Sequence, residues 1–284
     1  MKYRLFLLAI LATFSSVVSA QDSETNQKPE PDRQQVYKTV DDVELSLHIF
    51  EPAPSDDPRP AIVFFFGGGW NGGSPSQFYT QCRHLADQGV VAISADYRVK
   101  SRNQSTPFQC VQDGKSAMRW VRSHAEELNI DPDRIAAGGG SAGGHVAAAV
   151  ATVPELNEPG EDTSVSCVPN ALVLFNPVYD NGPDGYGYER VKDRYLEISP
   201  LHNIRTGMPP AIVFLGTEDK LIPVSTAKAF QQAMEEVGSR SELMLFEGEP
   251  HGFFNQGRGN GENYEKTVAG MDEFLKSLGY IESE

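Results

Sequence analysis

The sequence predicts an α/β fold, a mostly parallel central sheet with helices on both faces, and three observations carry that prediction. First, Ala61–Phe66, Val90–Tyr97, Ala171–Val178 and Ala211–Gly216 are short, nearly continuous apolar runs. Such runs suit strands buried on both faces. Second, stretches of helical pattern stand between them, over Pro75–Gln88, Phe108–Leu128, the small-residue run through Ala147–Val150, and Pro223–Val237. Third, the glycine-rich joint Gly138–Gly144 runs from a strand straight into a helix.

Met1–Ala20 opens with Lys2 and Arg4, continues through the apolar run Leu5–Phe14 and closes on Val18-Ser19-Ala20. That is the pattern of a secretory signal peptide cut after Ala20, its apolar run too short for a membrane span. No Cys follows the cleavage site, so no lipid anchor is indicated. The expected location is the periplasm or the cell exterior. Residues 21–34 are polar and read as a disordered lead-in. One domain of ordinary size is expected over residues 35–284.

Within that domain, Val36–Pro52 sets Val43, Leu45, Leu47 and Ile49 against polar neighbours and breaks at Asp41-Asp42, the pattern of a half-exposed hairpin. Ala61–Phe66 ends in a glycine loop, residues 67–73. Ser74 is the expected N-cap of the helix that follows. Trp120 in the long helix is expected to pack on the sheet. Asp131-Pro132-Asp133 turns the chain into the strand that ends at Gly140. Gly238 stops the helix before the last strand, Glu242–Phe246, and Tyr264–Leu278 closes the fold. Asp180–Pro209 lacks periodicity and falls where ligands enter such sheets, so it is expected to act as a lid or substrate-binding loop.

The chain has 39 acidic against 24 basic residues, a formal net charge of −15, and loss of Lys2 and Arg4 with the leader makes it more acidic still. Such a surface argues against nucleic acid or anionic membrane as partners. Cys82, Cys110 and Cys167 fit no zinc spacing. An oxidising compartment permits a disulfide; one pair with a leftover thiol, and three buried free thiols, both stay open.

Gly139-Gly140-Ser141-Ala142-Gly143 has the form G-x-S-x-G at a strand-to-helix joint. Ser141 must there take a strained backbone conformation so that its hydroxyl projects from the turn, and a Cβ at position 139 or 143 would collide with the neighbouring strand or helix. The N–H of Ala142 opens the helix, where negative charge is favoured. Gly138, Gly140 and Gly143 also match G-x-G-x-x-G. That fingerprint opens a first βα unit and needs an acidic residue at the end of the next strand. Here Glu158 and Asp162 fall in a Pro- and Gly-containing loop, so the nucleotide reading is set aside.

A serine hydroxyl is a weak nucleophile without a base, and the base needs an orienting group. The chain offers both in the order Ser…Asp…His and at strand ends: Asp219 after Ala211–Gly216, and His251 after the strand ending at Phe246. Asp219 is expected to accept from His251 Nδ1, and His251 Nε2 to take the Ser141 proton. Glu218 competes with Asp219, but adjacent side chains point in different directions. His145 is expected to be a packed structural residue, His84 and His124 surface or core filler, and His48 and His202 have no partner pattern. Gly67-Gly68-Gly69 lets a backbone pass close to a carbonyl oxygen with its N–H groups free, and Ala142 supplies the complementary donor; one such donor is worth roughly 3–4 kcal/mol to an oxyanion.

On Phe66-Gly-Gly-Gly-Trp70, Asp96-Tyr97-Arg98, Gly139-Gly-Ser-Ala-Gly-Gly144, Gly216-Thr-Glu-Asp219 and His251-Gly-Phe253, the chain resembles the α/β-hydrolases. Within them it is similar to the hormone-sensitive-lipase-like carboxylesterases and the related acetyl-ester esterases of secreted bacterial origin. The resemblance covers nearly all of residues 35–284. It implies an α/β-hydrolase fold with a small cap or none, Ser141 as nucleophile, Asp219 as acid, His251 as base, and an oxyanion hole from Gly68, Gly69 and Ala142. It implies no metal and no organic cofactor.

The family usually has His where Phe66 stands, so the glycine loop is expected to be held by packing. Residues 21–35 lack the helical cap of many such lipases, so an open site is expected, walled by Trp70, Tyr179, Ile222 and residues 179–205. An open site suits a bulky carrier of small acyl groups. The expected function is therefore a secreted serine esterase acting on short-chain, above all acetyl, esters of small molecules or polysaccharide through an acyl-enzyme. Two other readings compete. A peptidase of the same fold would need room for the β-propeller that usually gates such enzymes. A non-catalytic carbohydrate- or partner-binding module would have no need of all three of Ser141, Asp219 and His251; covalent labelling of Ser141 by a fluorophosphonate separates it from an enzyme.

Overall fold

The computed structural model describes residues 28–282, and the leader Met1–Ala20 lies outside the described residues. The elements run β1 (Arg33–Val40), β2 (Val43–Phe50), β3 (Arg59–Phe65), α1 (Tyr79–Ala86), β4 (Val91–Ala95), α2 (Lys100–Asn103), α3 (Pro107–Ser123), β5 (Ile130–Gly140), α4 (Ala142–Thr152), β6 (Ala171–Phe175), α5 (Tyr188–Val191), β7 (Ala211–Gly216), α6 (Val224–Glu236), β8 (Ser241–Phe246) and α7 (Glu262–Ser277). The strands form one sheet in the order β1-β2-β4-β3-β5-β6-β7-β8. β1 and β2 are antiparallel, as are β2 and β4, and every other pair is parallel.

Successive side chains of a strand face opposite sides of the sheet. Val63 and Phe65 enter the layer that holds Met118 of α3, Val146 of α4 and Phe230 of α6. Ile62 and Phe64 enter the opposite layer, with Leu85 of α1 and Phe274 of α7. Both faces of the central strands are therefore covered, which is why their sequences are apolar without alternation.

Strand order reverses at β3. Its successor β4 lies on one side of it and β5 on the other, with Phe65 in register with Gly139. Loops leaving the carboxyl ends of two strands at such a switch point diverge and open a crevice. Here those loops are the glycine loop after β3 and the turn at Ser141 after β5, so the topology sets one beside the other.

Several boundaries differ from the sequence-based expectation. The lead-in does not extend to residue 34: β1 begins at Arg33, because Asp32 N–H donates to Ile49 O at 2.9 Å and the Asp32 carboxylate accepts from Glu51 N–H at 2.7 Å and Arg83 at 2.8 Å. Ser74 caps no helix. Pro75–Gln77 is a single 3₁₀ turn, α1 starts at Tyr79, and Ser74 Oγ pairs with Ser76 Oγ at 2.8 Å. α3 stops at Ser123 rather than Leu128, since the chain must turn back into β5 and does so through left-handed Asn129 (φ 52°). Trp120, by contrast, packs as expected against the core layer on the sheet, half-buried, and also stacks on His124 at 4.0 Å. The segment between β6 and β7 is not a bare loop but carries α5 and two 3₁₀ turns, Lys192–Glu197 and Pro200–Asn203. Cys82, Cys110 and Cys167 are all free and buried. Among the described residues no helix is long and apolar enough to cross a membrane.

Candidate active site

Ser141 stands between β5 and α4 with φ 53° and ψ −119°, a conformation that costs a non-glycine residue about 1–3 kcal/mol. The neighbouring glycines make it reachable. A Cβ on Gly143 would lie 2.0 Å from the Phe65 carbonyl oxygen, and one on Gly139 2.5 Å from Gly143 C. The turn is pinned by Ser141 N–H donating to Phe175 O at 2.9 Å.

Asp219 follows β7. Its side chain is wholly buried, while Glu218 beside it is exposed. Asp219 Oδ1 accepts from the N–H groups of Leu221 at 2.8 Å and Ile222 at 2.9 Å. Oδ2 faces His251 Nδ1 at 2.7 Å, and His251 Nε2 lies 2.9 Å from Ser141 Oγ. A carboxylate only accepts, so Nδ1 carries the hydrogen and neutral His251 turns the Nε2 lone pair to the serine hydroxyl. Three side chains from three strand ends thus form one chain of hydrogen bonds, from a buried carboxylate through an imidazole to a hydroxyl.

The glycine loop runs against this group: a Cβ on Gly67 would stand 3.3 Å from Ser141 Cβ. Gly68 and Gly69 have φ of 129° and 61°, values that favour glycine. Phe66 is held by packing, its ring stacked on Tyr97 at 4.2 Å, but hydrogen bonds also fix the loop. Phe66 O accepts from the Tyr97 hydroxyl at 2.5 Å, Gly67 N–H donates to Gln77 Oε1 at 2.6 Å, and Gly68 O accepts from Asn71 N–H at 3.0 Å. Gly69 O accepts from the Arg190 guanidinium, which reaches over from α5. The N–H groups of Gly68, Gly69 and Ala142 donate to no other group among the described residues. They are free to meet an anionic oxygen, those of Gly68 and Gly69 from the loop and that of Ala142 from the start of α4.

Trp70, Tyr179 and Ile222, expected to wall an open site, are only 2 %, 0 % and 3 % exposed. Trp70 packs edge-on against His145 at 5.0 Å beneath Arg190, and Tyr179 packs at a tilt against Phe230 at 4.6 Å. Ile222 acts through its N–H on Asp219. Trp70 is enclosed by the segment between β6 and β7, through Tyr186, Gly187 and Arg190. Beside the glycine loop lies a cavity of about 470 Å³, to which Asn71, Lys100, Gln104 and Arg190 contribute polar groups.

His145 is the packed structural residue that its helix position suggested. Its Nε2 lies 3.0 Å from Asn181 Oδ1 and 3.1 Å from Ile198 O, and burial pushes its pKa down to about 4. Both neighbours are acceptors, so Nε2 carries the hydrogen, and His145 ties the segment after β6 to the helix that begins at Ser141. His48 and His202, which showed no partner pattern, bond Tyr79 OH at 2.6 Å and Ser199 Oγ at 2.9 Å.

Two features escaped sequence reasoning. Asn176, at the end of β6, is fully buried; its Oδ1 accepts from Gly252 N–H at 2.9 Å and its Nδ2 lies 3.4 Å from His251 Nε2. A polar residue closing the apolar run Ala171–Phe175 was the available signal. The other is a buried ion cluster. Asp113 on α3 binds Lys38 of β1 at 2.7 Å and Arg98 at 2.7 Å, and Glu158 after α4 joins both cations. No local pattern marks it, since its members come from four separate segments.

A family model described as BD-FAE matches residues 47–171, and one described as the dienelactone hydrolase family matches residues 170–279. The apo form of Thermogutta terrifontis esterase 2 aligns with a TM-score of 0.87 and 48% identity, covering 91% of this chain and 98% of that one. Its propionate-bound form aligns with a TM-score of 0.85 and 48% identity, covering 89% of this chain and 96% of that one. Among curated relatives, esterase LipC of Mycobacterium tuberculosis is 31% identical over 220 residues, 69% of this chain and 53% of its own length. A probable isoprenylcysteine alpha-carbonyl methylesterase, ICMEL1 of Arabidopsis thaliana, is 27% identical over 233 residues, 72% of this chain and 48% of its own. The chain thus spans about half the length of these curated relatives.

Proposed function

The chain belongs to the carboxylesterases of the α/β-hydrolase fold, and from that membership we propose that it hydrolyses short-chain acyl esters through an acyl-enzyme on Ser141. The observation that carries this reading is the hydrogen-bonded chain from Asp219 through His251 to Ser141 Oγ, with distances of 2.7 and 2.9 Å. His251 Nε2 takes the Ser141 proton as Oγ attacks the ester carbonyl carbon. The carbonyl oxygen becomes an oxyanion and is met by the N–H groups of Gly68, Gly69 and Ala142. Asp219 stabilises the imidazolium. The proton then passes from Nε2 to the departing alcohol oxygen as the C–O bond breaks, leaving the acyl group on Ser141. Water, with His251 again as base, releases the acid.

Short acyl groups are favoured on two grounds. The residues expected to wall an open site, Trp70 and Tyr179, are packed inside instead of facing an open surface, and the Thermogutta esterase has been solved with propionate and with butyrate bound. That relative is also known phosphorylated by paraoxon, an adduct that an activated serine would form. Asn71, Lys100, Gln104 and Arg190 on the cavity beside the glycine loop offer partners for the hydroxyls of a sugar, and an acetylated polysaccharide is the proposed natural substrate class. The test is hydrolysis of p-nitrophenyl esters from acetate to decanoate, beside acetate release from acetylated xylan. kcat/KM is expected to fall about tenfold or more from the short esters to decanoate. Equal activity on acetate and decanoate would reject the short-chain reading.

The chain is further proposed to be exported, on the strength of the Lys2, Arg4, Leu5–Phe14 and Val18-Ser19-Ala20 pattern. N-terminal sequencing of protein recovered outside the cytoplasm is expected to start at Gln21. Recovery only of cytoplasmic chains beginning at Met1 would rule export out.

A further inference from the structure

We infer that Asn176 is a further catalytic residue, whose amide faces His251 Nε2 as a donor and so biases the base toward its neutral form. The inference rests on the serine-esterase reading above. Asn176 ends β6, with φ 34°, and its N–H donates to Phe214 O at 2.7 Å, so the side chain hangs from a fixed point between β6 and the His251 loop. The orientation of its amide is determined by its neighbours. Gly252 N–H points at one end of the amide, 2.9 Å away, and only an oxygen can accept it. The other end, Nδ2, must then face the imidazole, 3.4 Å from Nε2.

Nδ1 already carries the hydrogen that Asp219 accepts. Nε2 therefore faces two donors, the Ser141 hydroxyl at 2.9 Å, which takes its single lone pair, and the Asn176 amide at 3.4 Å, whose approach is favourable only while that nitrogen carries no proton. Protonating Nε2 sets N–H against N–H. At 3.4 Å the amide contact is weak as a hydrogen bond, but its dipole acts in a partly buried site where such effects are strengthened. Asn176 thus acts on the proton-accepting nitrogen, while Asp219 holds the other one.

The same contact directs turnover. When the Ser141 proton arrives on Nε2, that N–H finds no acceptor at Asn176. The acceptor within its reach is the ester oxygen of the departing alcohol. The proton moves there as the C–O bond breaks, and His251 returns to neutral.

Asn176→Asp separates this role from a structural one. One carboxylate oxygen still accepts from Gly252 N–H, so the loop stays tied. The other now accepts from Nε2–H and favours the imidazolium. The other titratable groups on the surrounding elements are Asp219, Glu218 and Lys220 after β7, Glu247 and Glu249 before His251, Ser141 at the turn and Tyr179 after β6. All are common to wild type and variant, so they cancel in the comparison. The measurement is the pH profile of kcat/KM on p-nitrophenyl acetate. The acid limb of Asn176→Asp is expected to move up by about one pH unit or more, with about tenfold loss at a pH on the wild-type limb and partial recovery at higher pH. Asn176→Ala, which loses the donor without adding a charge, is expected to shift the limb in the same direction by less, and it decides the matter if the Asp variant does not fold. An active wild type whose limb stays in place, or moves down, in the variant overturns the role of Asn176 alone. A folded wild type that hydrolyses no ester overturns the esterase reading, and this one with it.

Discussion

Ser141→Ala is expected to lower kcat on p-nitrophenyl acetate by about five to six orders of magnitude, and Asp219→Asn by about four. The residual rate would come from the free N–H groups of Gly68, Gly69 and Ala142, which do not depend on either side chain. Both variants should remain folded. Among the described residues the Ser141 hydroxyl bonds only to His251 Nε2, and the turn is held by backbone bonds and by the close approach of Gly139 and Gly143 to their neighbours. Urea unfolding run beside the kinetics checks this. The two losses should not add, because the three side chains work as one hydrogen-bonded chain. A Ser141→Ala variant within about tenfold of wild type would remove Ser141 from the chemistry.

Asp113→Ala is expected to destabilise the protein by about 3–5 kcal/mol, read as a fall in the urea midpoint. The Asp113 side chain is fully buried and accepts from Lys38 Nζ, from the Arg98 guanidinium and from Arg98 N–H at 2.9 Å. Removing it leaves two nearly buried cations to share Glu158. The cost is that of an uncompensated charge, which exceeds the net worth of the intact cluster. Because the cluster is buried, the loss should persist in high salt, unlike that of an exposed pair. The consequence reaches the active site. Arg98 follows Tyr97, whose hydroxyl holds Phe66 O at the base of the glycine loop, and α3 lies against α4, where a Cβ on Gly114 would come within 2.5 Å of Val146. Esterase activity should therefore be lost at a lower temperature than in the wild type. A loss of less than about 1 kcal/mol would mean that water or neighbouring groups replace the carboxylate.

Much of the site was legible because its signals are local. Gly139 and Gly143 flank Ser141 in one turn, and the Cβ atoms they lack would strike backbone. Asp219 and His251 each follow a strand that its apolar composition reveals. The resemblance of five short motifs to the carboxylesterases placed these residues in one family before any distance was known. The Asp96-Tyr97-Arg98 motif was visible too, but not its purpose: Asp96 pairs with Arg102, Tyr97 holds the glycine loop and Arg98 binds Asp113.

Other features were illegible for reasons that can be named. Ser74 looked like a helix cap because Ser precedes Pro, yet the chain makes a 3₁₀ turn first so that Gln77 can reach Gly67 N–H. Trp70, Tyr179 and Ile222 were read as substrate wall from their nearness to the motifs, whereas all three are buried, Trp70 beneath Tyr186 and Arg190 of the segment between β6 and β7. Asn176 carried a faint signal, a polar residue at the end of a buried run, but its partner Gly252 is remote in the chain.

By itself the sequence determined the class of fold, the strand-to-helix turn at Ser141, and the chain order of Ser141, Asp219 and His251. These follow from residue periodicity and from what a turn allows, both of which act over a few neighbouring residues. Tertiary structure alone decided that β3 lies between β4 and β5, so that the glycine loop meets the serine. It also decided which way the Asn176 amide faces, and how Lys38, Arg98, Asp113 and Glu158 share one buried site. Those outcomes depend on which segments become neighbours in space, and the contacts that settle them form only when the whole sheet is assembled.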